Sequence, residues 1–404
     1  MSTAPELNTV RRASGGTTDA LRRSNLATVL GLVHRVGALS RSQLTQLTQL
    51  NRSTVGDLVI ELVELGLVEE AAPVARRAGK AGRPSPIVRA ASDVVAIAVN
   101  PEVDAVIVGL VGMNGRVIKR IRIETASART AAETVTLASA GIAGMLAGET
   151  GVRVAGIGVA VPGQVRLSDG MVREATHFGW SDEPLAAMLA DATGLRVWAA
   201  NAAVLGLRAE SAFGAGRDVD DLVYLIGGAS GIGGGGVSAG RILTGAAGYA
   251  GEFGHIFVKS DGTECSCGSR GCLEAEVTQD ALLASVGLAS AEATHLADRL
   301  VATDDPITRS LIARDYALLQ IAVRDAVNAF NPSLVVLGGF LAALYRAAIA
   351  HGAADLLGSV VRSSRDGVTV VEAQLGPDQL LIGAAELVFA DVMADPARAV
   401  ADLD

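Results

Sequence analysis

One imidazole and three thiols crowd a short stretch of this chain: His255, Cys265, Cys267 and Cys272, spaced His-x9-Cys-x-Cys-x4-Cys. One nitrogen and three thiolates are a full tetrahedral set for zinc, with no open position for an activated water, so such a metal would be structural. Gly262, Gly268 and Gly271 permit the tight loop that the site needs. The competing reading is three buried thiols and a surface histidine. Three cysteines are too few for a disulfide framework, and their crowding favours metal. Glu252 and Glu274 flank the set. They fit two descriptions at this point, salt-bridged surface residues or carboxylates gripping sugar hydroxyls.

A second candidate is the glycine run from Gly227 to Gly236, broken only by Ala229, Ser230 and Ile232. Backbone N–H groups there would surround a phosphate, although neither the Walker lysine nor Rossmann spacing is present. A tight turn of purely structural use fits equally well. Asn331-Pro332 and Gly338-Gly339 are similarly ambiguous.

The elements around these residues read as α/β. Val94–Val99 and Val106–Val111 are apolar strands, and Asn114-Gly115 is a hairpin turn leading into Val117–Ile123, which alternates. A strand at Val154–Val161 ends in Pro162-Gly163. A second set starts at Leu222–Ile226, returns near Arg241–Leu243, and continues through a helix around Ile312–Phe330 to a strand at Leu334–Leu337. Two halves, each opening with hairpin strands, predict duplicated lobes around a cleft.

The chain's 404 residues include 34 Lys and Arg against 43 Asp and Glu, a net charge of −9. That balance hides a division. Residues 1–90 carry twelve basic and seven acidic side chains, so a basic head precedes an acidic body, and a polyanion would bind the head. In the head, Leu26, Val29, Leu30, Val33 and Val36 form one helical stripe, stopped by Gly37. Ser40-Arg41-Ser42-Gln43 reads as a capping box opening a short helix with Leu44 and Leu47 inward. After a break at Leu50-Asn51, a third stripe runs through Val55, Leu58, Val59, Leu62 and Leu65 to Gly66. The pattern predicts a helix-turn-helix whose second helix turns Arg52, Ser53, Thr54, Gly56 and Asp57 outward, where Arg suits guanine and Asp accepts from cytosine. A plain helical bundle with a solvated face is the bland alternative. Leu67–Glu70 then predicts a wing strand, and Arg76, Arg77, Lys80 and Ala81-Gly82-Arg83-Pro84 a basic hook whose Arg83 enters a minor groove.

Half of the residues are hydrophobic, enough for large cores. The long charge-free run Leu222–Gly240 holds eight glycines and would be a poor spanning helix. The start of the chain has no apolar signal core, so a cytoplasmic protein is expected. Aromatic residues are only 3%, which disfavours a stacking platform for single strands.

The segments Gly251-Glu252-Phe253-Gly254-His255 and Cys265-Ser-Cys267-Gly268-Ser-Arg-Gly271-Cys272-Leu273-Glu274 resemble the ROK family of repressors, open reading frames and kinases. Pro162-Gly163, Trp180, Asn201, the glycine run and Asn331-Pro332 to Gly339 fall in the family's order. The resemblance implies an α/β fold in which an N-terminal winged helix-turn-helix (residues 20–77) and a basic linker (78–92) precede a duplicated, actin-like (sugar kinase/Hsp70-type) two-lobed domain (93–395). It also implies structural zinc, a sugar or sugar derivative as effector, and a homodimer or homotetramer. By resemblance, Asn201, Glu252, His255 and Glu274 are effector contacts, with His177 in a position where the family has Asn. A histidine packed in the interior is the alternative reading of His177.

Two departures bear on chemistry. Family kinases use an Asn-Asp pair, the Asp being the catalytic base; here the pair is Asn201-Ala202, and a methyl group accepts no proton. The family's first phosphate turn is glycine-bearing, whereas this chain reads Val99-Asn100-Pro101-Glu102-Val103-Asp104. Both losses predict a non-enzyme: a DNA-binding regulator of carbohydrate genes, most simply a repressor. A sugar kinase with residual activity and a ligand-independent DNA-binding protein are the alternatives.

Overall fold

The computed structural model describes residues 18–71, 85–125, 127 and 129–400. The chain divides into two units, one of Met1–Ala91 with Asp391–Asp404 and one of Ser92–Ala390. Among the described residues, no helix is long and apolar enough to cross a membrane.

The first unit begins α1 (Thr18–Val36), β1 (Leu39–Ser40), α2 (Arg41–Thr48), α3 (Arg52–Glu64), β2 (Val68–Ala71) and β3 (Ile87–Ala90). The capping box forms: the Ser40 N–H donates to Gln43 Oε1 at 2.9 Å, and the Gln43 N–H donates to Ser40 Oγ at 3.2 Å. Asn51 caps α3, accepting from the Thr54 N–H at 2.8 Å. Leu30, Leu44, Val55 and Leu62 are buried where the three helices meet. Val36 and Leu47, expected inward, are 44% and 37% exposed. Each lies in the last turn of its helix, just before the chain changes direction through Gly37 and Gln49 in left-handed conformation. Leu65, at the C-cap of α3, is half-buried.

The strands form an antiparallel sheet in the order β1-β3-β2. Its central strand, β3, falls where sequence reading placed linker. Four residues beside a basic stretch carry too short an alternation to be read as a strand. Arg41 spans back to Glu70, its Nε and Nη2 donating to the two carboxylate oxygens at 2.6 and 2.7 Å. Arg76, Arg77, Lys80 and Arg83 lie outside the described residues.

The second unit holds two five-stranded sheets. The first lobe runs β4 (Val94–Glu102), β5 (Ala105–Gly112), β6 (Val117–Glu124), α4 (Ala131–Leu146), β7 (Arg153–Val161), then a small antiparallel sheet of β8 (Gln164–Arg166), β9 (Met171–Ala175) and β10 (Trp180–Glu183), then α5 (Leu185–Thr193), β11 (Val197–Asn201) and α6 (Ala202–Phe213). The second runs β12 (Leu222–Gly228), β13 (Gly231–Ser238), β14 (Arg241–Ile242), α7 (Leu273–Glu276), α8 (Gln279–Ser285), α9 (Leu296–Ala302), α10 (Pro306–Phe330), β15 (Leu334–Gly338), α11 (Gly339–Ala350), α12 (Arg362–Arg365), β16 (Thr369–Glu372) and α13 (Gln379–Ala394). The strand orders are β6-β5-β4-β7-β11 and β14-β13-β12-β15-β16. In both, two hairpin partners flank the opening strand on one side and two parallel strands on the other. The same plan is therefore used twice.

Two sequence features gain their structural context here. The glycine run forms most of a hairpin: β13 pairs antiparallel with β12 from Gly228↔Gly231 to Leu222↔Val237, so the backbone groups of its strands serve the ladder while its turn faces the cleft. Close packing explains the glycines. A Cβ on Gly233 would sit 2.7 Å from Ala203 Cβ, and one on Gly234 would sit 2.4 Å from the Phe253 ring and 2.7 Å from Tyr224 O. The alternation of Val117–Ile123 does not translate into one buried face, because β6 is an edge strand with nearly all its residues exposed.

Candidate metal centre and cleft

His255 lies in a short 3₁₀ turn, Phe253–His255, and the three cysteines lie on the loop that leads into α7. The loop is pinned to the His255 segment at both ends: the Val258 N–H donates to Gly271 O at 2.8 Å, and the Leu273 N–H donates to Ile256 O at 2.9 Å. Gly271 adopts φ 73°, and a Cβ there would lie 1.9 Å from Lys259 O, so only glycine allows this approach. Glu276 braces the loop from inside, taking the Thr263 N–H and the Lys259 ammonium, the latter at 2.9 Å.

The donor atoms of His255, Cys265, Cys267 and Cys272 all lie within 4.8 Å of one another. His255 Nδ1 is 3.6 Å from Cys265 Sγ, and Cys267 Sγ is 3.8 Å from Cys272 Sγ. Tetrahedral zinc with Zn–S near ~2.3 Å has ligand–ligand edges of about 3.7 Å. The cysteines are free, and a disulfide would bring sulfurs to about 2.05 Å. Burial pushes the Cys265 thiol up to about 12 and raises Cys272, whereas a backbone N–H from the Ser269 peptide holds Cys267 below its usual value. A divalent cation placed among these donors would stabilise all three as thiolates. The donor set therefore fits a metal. With Nδ1 facing the sulfurs, His255 Nε2 points the other way, 3.8 Å from Glu252 Oε2.

That outward face belongs to a cleft. It is lined from the first lobe by Glu102, Gly163, Gln164, Glu174, Thr176, His177, Asn201 and Ala202, and from the second by Gly228, Ser230, Gly231, Glu252, His255, Cys267 and Glu274. The effector residues expected from sequence, His177, Asn201, Glu252, His255 and Glu274, thus share one space. His177 is exposed rather than packed in the interior. Its Nε2 and Glu274 Oε2 come within 3.1 and 2.8 Å of the point where a Cβ on Gly231 would stand, so the two converge from opposite lobes. Thr176 Oγ1 donates to Ser266 Oγ at 3.1 Å, tying the His177 turn to the cysteine loop. Asn201 is already engaged: Oδ1 accepts from the Ala203 and Val204 N–H groups at 2.8 and 3.1 Å, and Nδ2 donates to Gly163 O at 2.9 Å. It caps α6 and positions the cleft wall. Burial raises Glu252 above the ordinary carboxylate range, against the lowering effect of His255.

Ala202, the first residue of α6, presents its methyl group to the same cleft. Glu102 adds something the sequence reading did not count as a site. Standing at the end of β4, it accepts from Asn100 Nδ2 at 3.1 Å and, across the cleft, from Ser230 Oγ at 2.9 Å. Burial raises its carboxyl. Acidity at this turn was visible in the sequence; its partner Ser230, 128 positions away, was not. In the other unit, Arg52, Ser53 and Asp57 are exposed on the first turns of α3, and Thr54 is half-buried. Ser53 Oγ donates to Asn51 Oδ1 at 2.7 Å, so part of its capacity serves the cap.

The duplicated lobes define a mixed α/β, actin-like fold of the sugar-kinase type. The chain belongs to the ROK family, whose pattern matches residues 97–391. It is 31% identical over 304 residues to a glucokinase of Thermotoga maritima, covering 70% of this chain and 93% of that one. It is 29% identical over 340 residues to a xylose repressor of Caldicellulosiruptor bescii, covering 79% and 83%. Among solved structures, it superimposes with a TM-score of 0.73 and 24% identity on a ROK family transcriptional regulator described as a homolog of the E. coli MLC protein, covering 94% of this chain and 99% of that one.

Proposed function

We propose that this protein is a DNA-binding transcriptional repressor whose ROK domain receives a sugar and no longer phosphorylates it. One observation carries the reading: the fold match to a ROK regulator covers 94% of the chain, which reaches far into residues 1–91, beyond the domain shared with kinases. The capped α2–α3 pair with its antiparallel sheet supports a winged helix-turn-helix. Arg52, Ser53, Thr54 and Asp57 would read bases from α3, and Arg83 would enter the adjacent minor groove. Zinc held by His255, Cys265, Cys267 and Cys272 would be structural, fixing the loop that presents Glu252 and Glu274. With Nδ1 on the metal, the imidazole carries its proton on Nε2 and offers a fixed donor to the cleft.

The glucokinase relative is the basis for a second reading, residual phosphotransfer. Two features oppose it. Ala202 offers no base, which costs about 10²–10⁴ in rate. Glu102 places a carboxylate at the turn where a phosphate would be received. A regulator of this build acts as a homo-oligomer, and its ligand shifts DNA affinity only by binding one arrangement better than the other.

The test is a titration of the full-length protein against its own upstream DNA at fixed salt, with and without a panel of sugars. Tight binding released by one sugar is the expected result. Binding that no sugar alters would leave a ligand-independent DNA-binding protein, and absence of specific binding would remove the repressor reading for that target. Arg52→Ala should cost about 1–3 kcal/mol and relax preference at one base pair; a uniform loss on all sequences would reduce Arg52 to a phosphate contact.

A further inference from the structure

We propose that the cleft takes an unphosphorylated sugar and prefers one bearing a protonated amine, with Glu102 setting that preference. The inference rests on the sugar-effector reading and adds the ligand's charge class.

Four carboxylates line the cleft, those of Glu102, Glu174, Glu252 and Glu274, and no Lys or Arg lines it among the described residues. Two arginines on neighbouring strands are engaged elsewhere. Arg122 on β6 pairs with Asp104 at 2.7 Å, and Arg173 on β9 pairs with Asp182. The metal centre does not reverse this sign, because a divalent zinc with three thiolates and a neutral imidazole carries one net negative charge. A sugar phosphate brought here would meet carboxylates in a partly desolvated space, with no guanidinium or ammonium to receive it. Anion recognition requires the opposite arrangement.

Glu102 differs from the other three. Glu252 and Glu274 lie within 3.8 and 3.7 Å of the His255 ring, and Glu174 is exposed at the rim. Glu102 is held by two neutral donors, Asn100 and Ser230, that fix its position, while Arg122, the arginine that acts on it, is paired with Asp104. Asn100 is itself buried on β4, so the carboxylate is aimed by the sheet rather than by a free loop. A protonated amine on a bound sugar would give Glu102 a direct cationic partner and form a charge-assisted hydrogen bond. A neutral sugar would still be held through its hydroxyls. The predicted ranking is therefore amino sugar, then neutral sugar, with sugar phosphates excluded.

The experiment uses the full-length, zinc-loaded protein at a pH that keeps sugar amines protonated. Calorimetric titrations with glucose, xylose, glucosamine, mannosamine, glucose 6-phosphate and glucosamine 6-phosphate give the ranking directly. An amino sugar should bind about tenfold more tightly than its neutral parent, the scale of one charge-assisted hydrogen bond, and neither phosphate should bind. Glu102→Gln keeps the shape and the contact to Ser230 while removing the charge. It should weaken the amino sugar about tenfold more than the neutral parent. Phosphates binding as tightly as the neutral sugars would overturn the inference and leave the sugar-effector reading intact. So would an amino-sugar preference untouched in Glu102→Gln, which would remove Glu102 as its source. A panel in which nothing binds would overturn the effector reading and this inference with it.

Discussion

In the first lobe, β4 and β5 turn through Val103 and Asp104 with Glu102 at the shoulder; in the second, β12 and β13 turn through Ala229 and Ser230 between Gly228 and Gly231. Topology makes these turns counterparts, since each joins the first two strands of a sheet built to the same order. Their chemistry is opposite. One offers a carboxylate, the other small residues and a hydroxyl, and the two are joined by the Ser230–Glu102 hydrogen bond. The comparison teaches that a duplicated scaffold can keep its strand order in both copies while the two corresponding turns carry different chemistry. The glycines of β13 allow close packing, Gly233 against Ala203 and Gly234 against Phe253.

The largest effect expected from this comparison is on β13. Gly234→Ala would place a methyl group against Phe253 and the Tyr224 carbonyl and should cost about 3 kcal/mol or more. Gly228→Ala, which meets nothing within 4 Å, should be near neutral. Equal urea midpoints for the two variants would break the packing explanation. Next, Cys272→Ser should lower zinc affinity by on the order of 100-fold, read by competition with a chromogenic chelator. Metal retained at wild-type affinity would remove Cys272 from the ligand set.

A smaller effect concerns the first turn. Because burial raises Glu102 above its usual 4.5, the proton it holds stabilises the folded chain at acidic pH, and that contribution is lost as pH rises through the raised value. Glu102→Gln should therefore flatten the stability profile from about pH 4.5 upward, measured by urea midpoints at successive pH values. An unchanged profile would mean that Glu102 does not titrate differently in the folded state. The smallest expected change is none: Ala202→Asp restores a candidate base yet should yield no ATP-dependent sugar phosphorylation, because Glu102 still occupies the opposing turn. Turnover in that variant would show that the base alone had been missing.

The features legible in sequence were those carried by local spacing. Ser40 and Gln43 form their capping box because such a box spans only three positions along the chain. The cysteine loop closes on His255 because its ligands lie within eighteen consecutive residues. What sequence did not disclose depends on partners distant along the chain. The glycine run reads as a loop until Ala203 and Phe253 are known to press on it, and β3 is recognisable only beside β1 and β2. Glu102 looks merely acidic until Ser230 stands opposite. Val36 and Leu47 continue their stripes faithfully, yet the chain turns before a neighbour can cover them.

The hydrogen bond between Thr176 and Ser266 has a thermodynamic corollary. It connects the turn that carries His177 to the loop that carries three of the four metal donors, and Glu274 reaches both the cleft and Cys265, at 3.3 Å. If metal occupancy improves the affinity of the cleft for its ligand by some factor, ligand occupancy must improve metal affinity by that same factor. Two equilibria that look separate, one structural and one regulatory, then draw on a single coupling free energy. Under that coupling a saturating ligand would make the protein yield bound zinc more reluctantly to a chelator, and scarcity of zinc would raise the ligand concentration at which the protein responds.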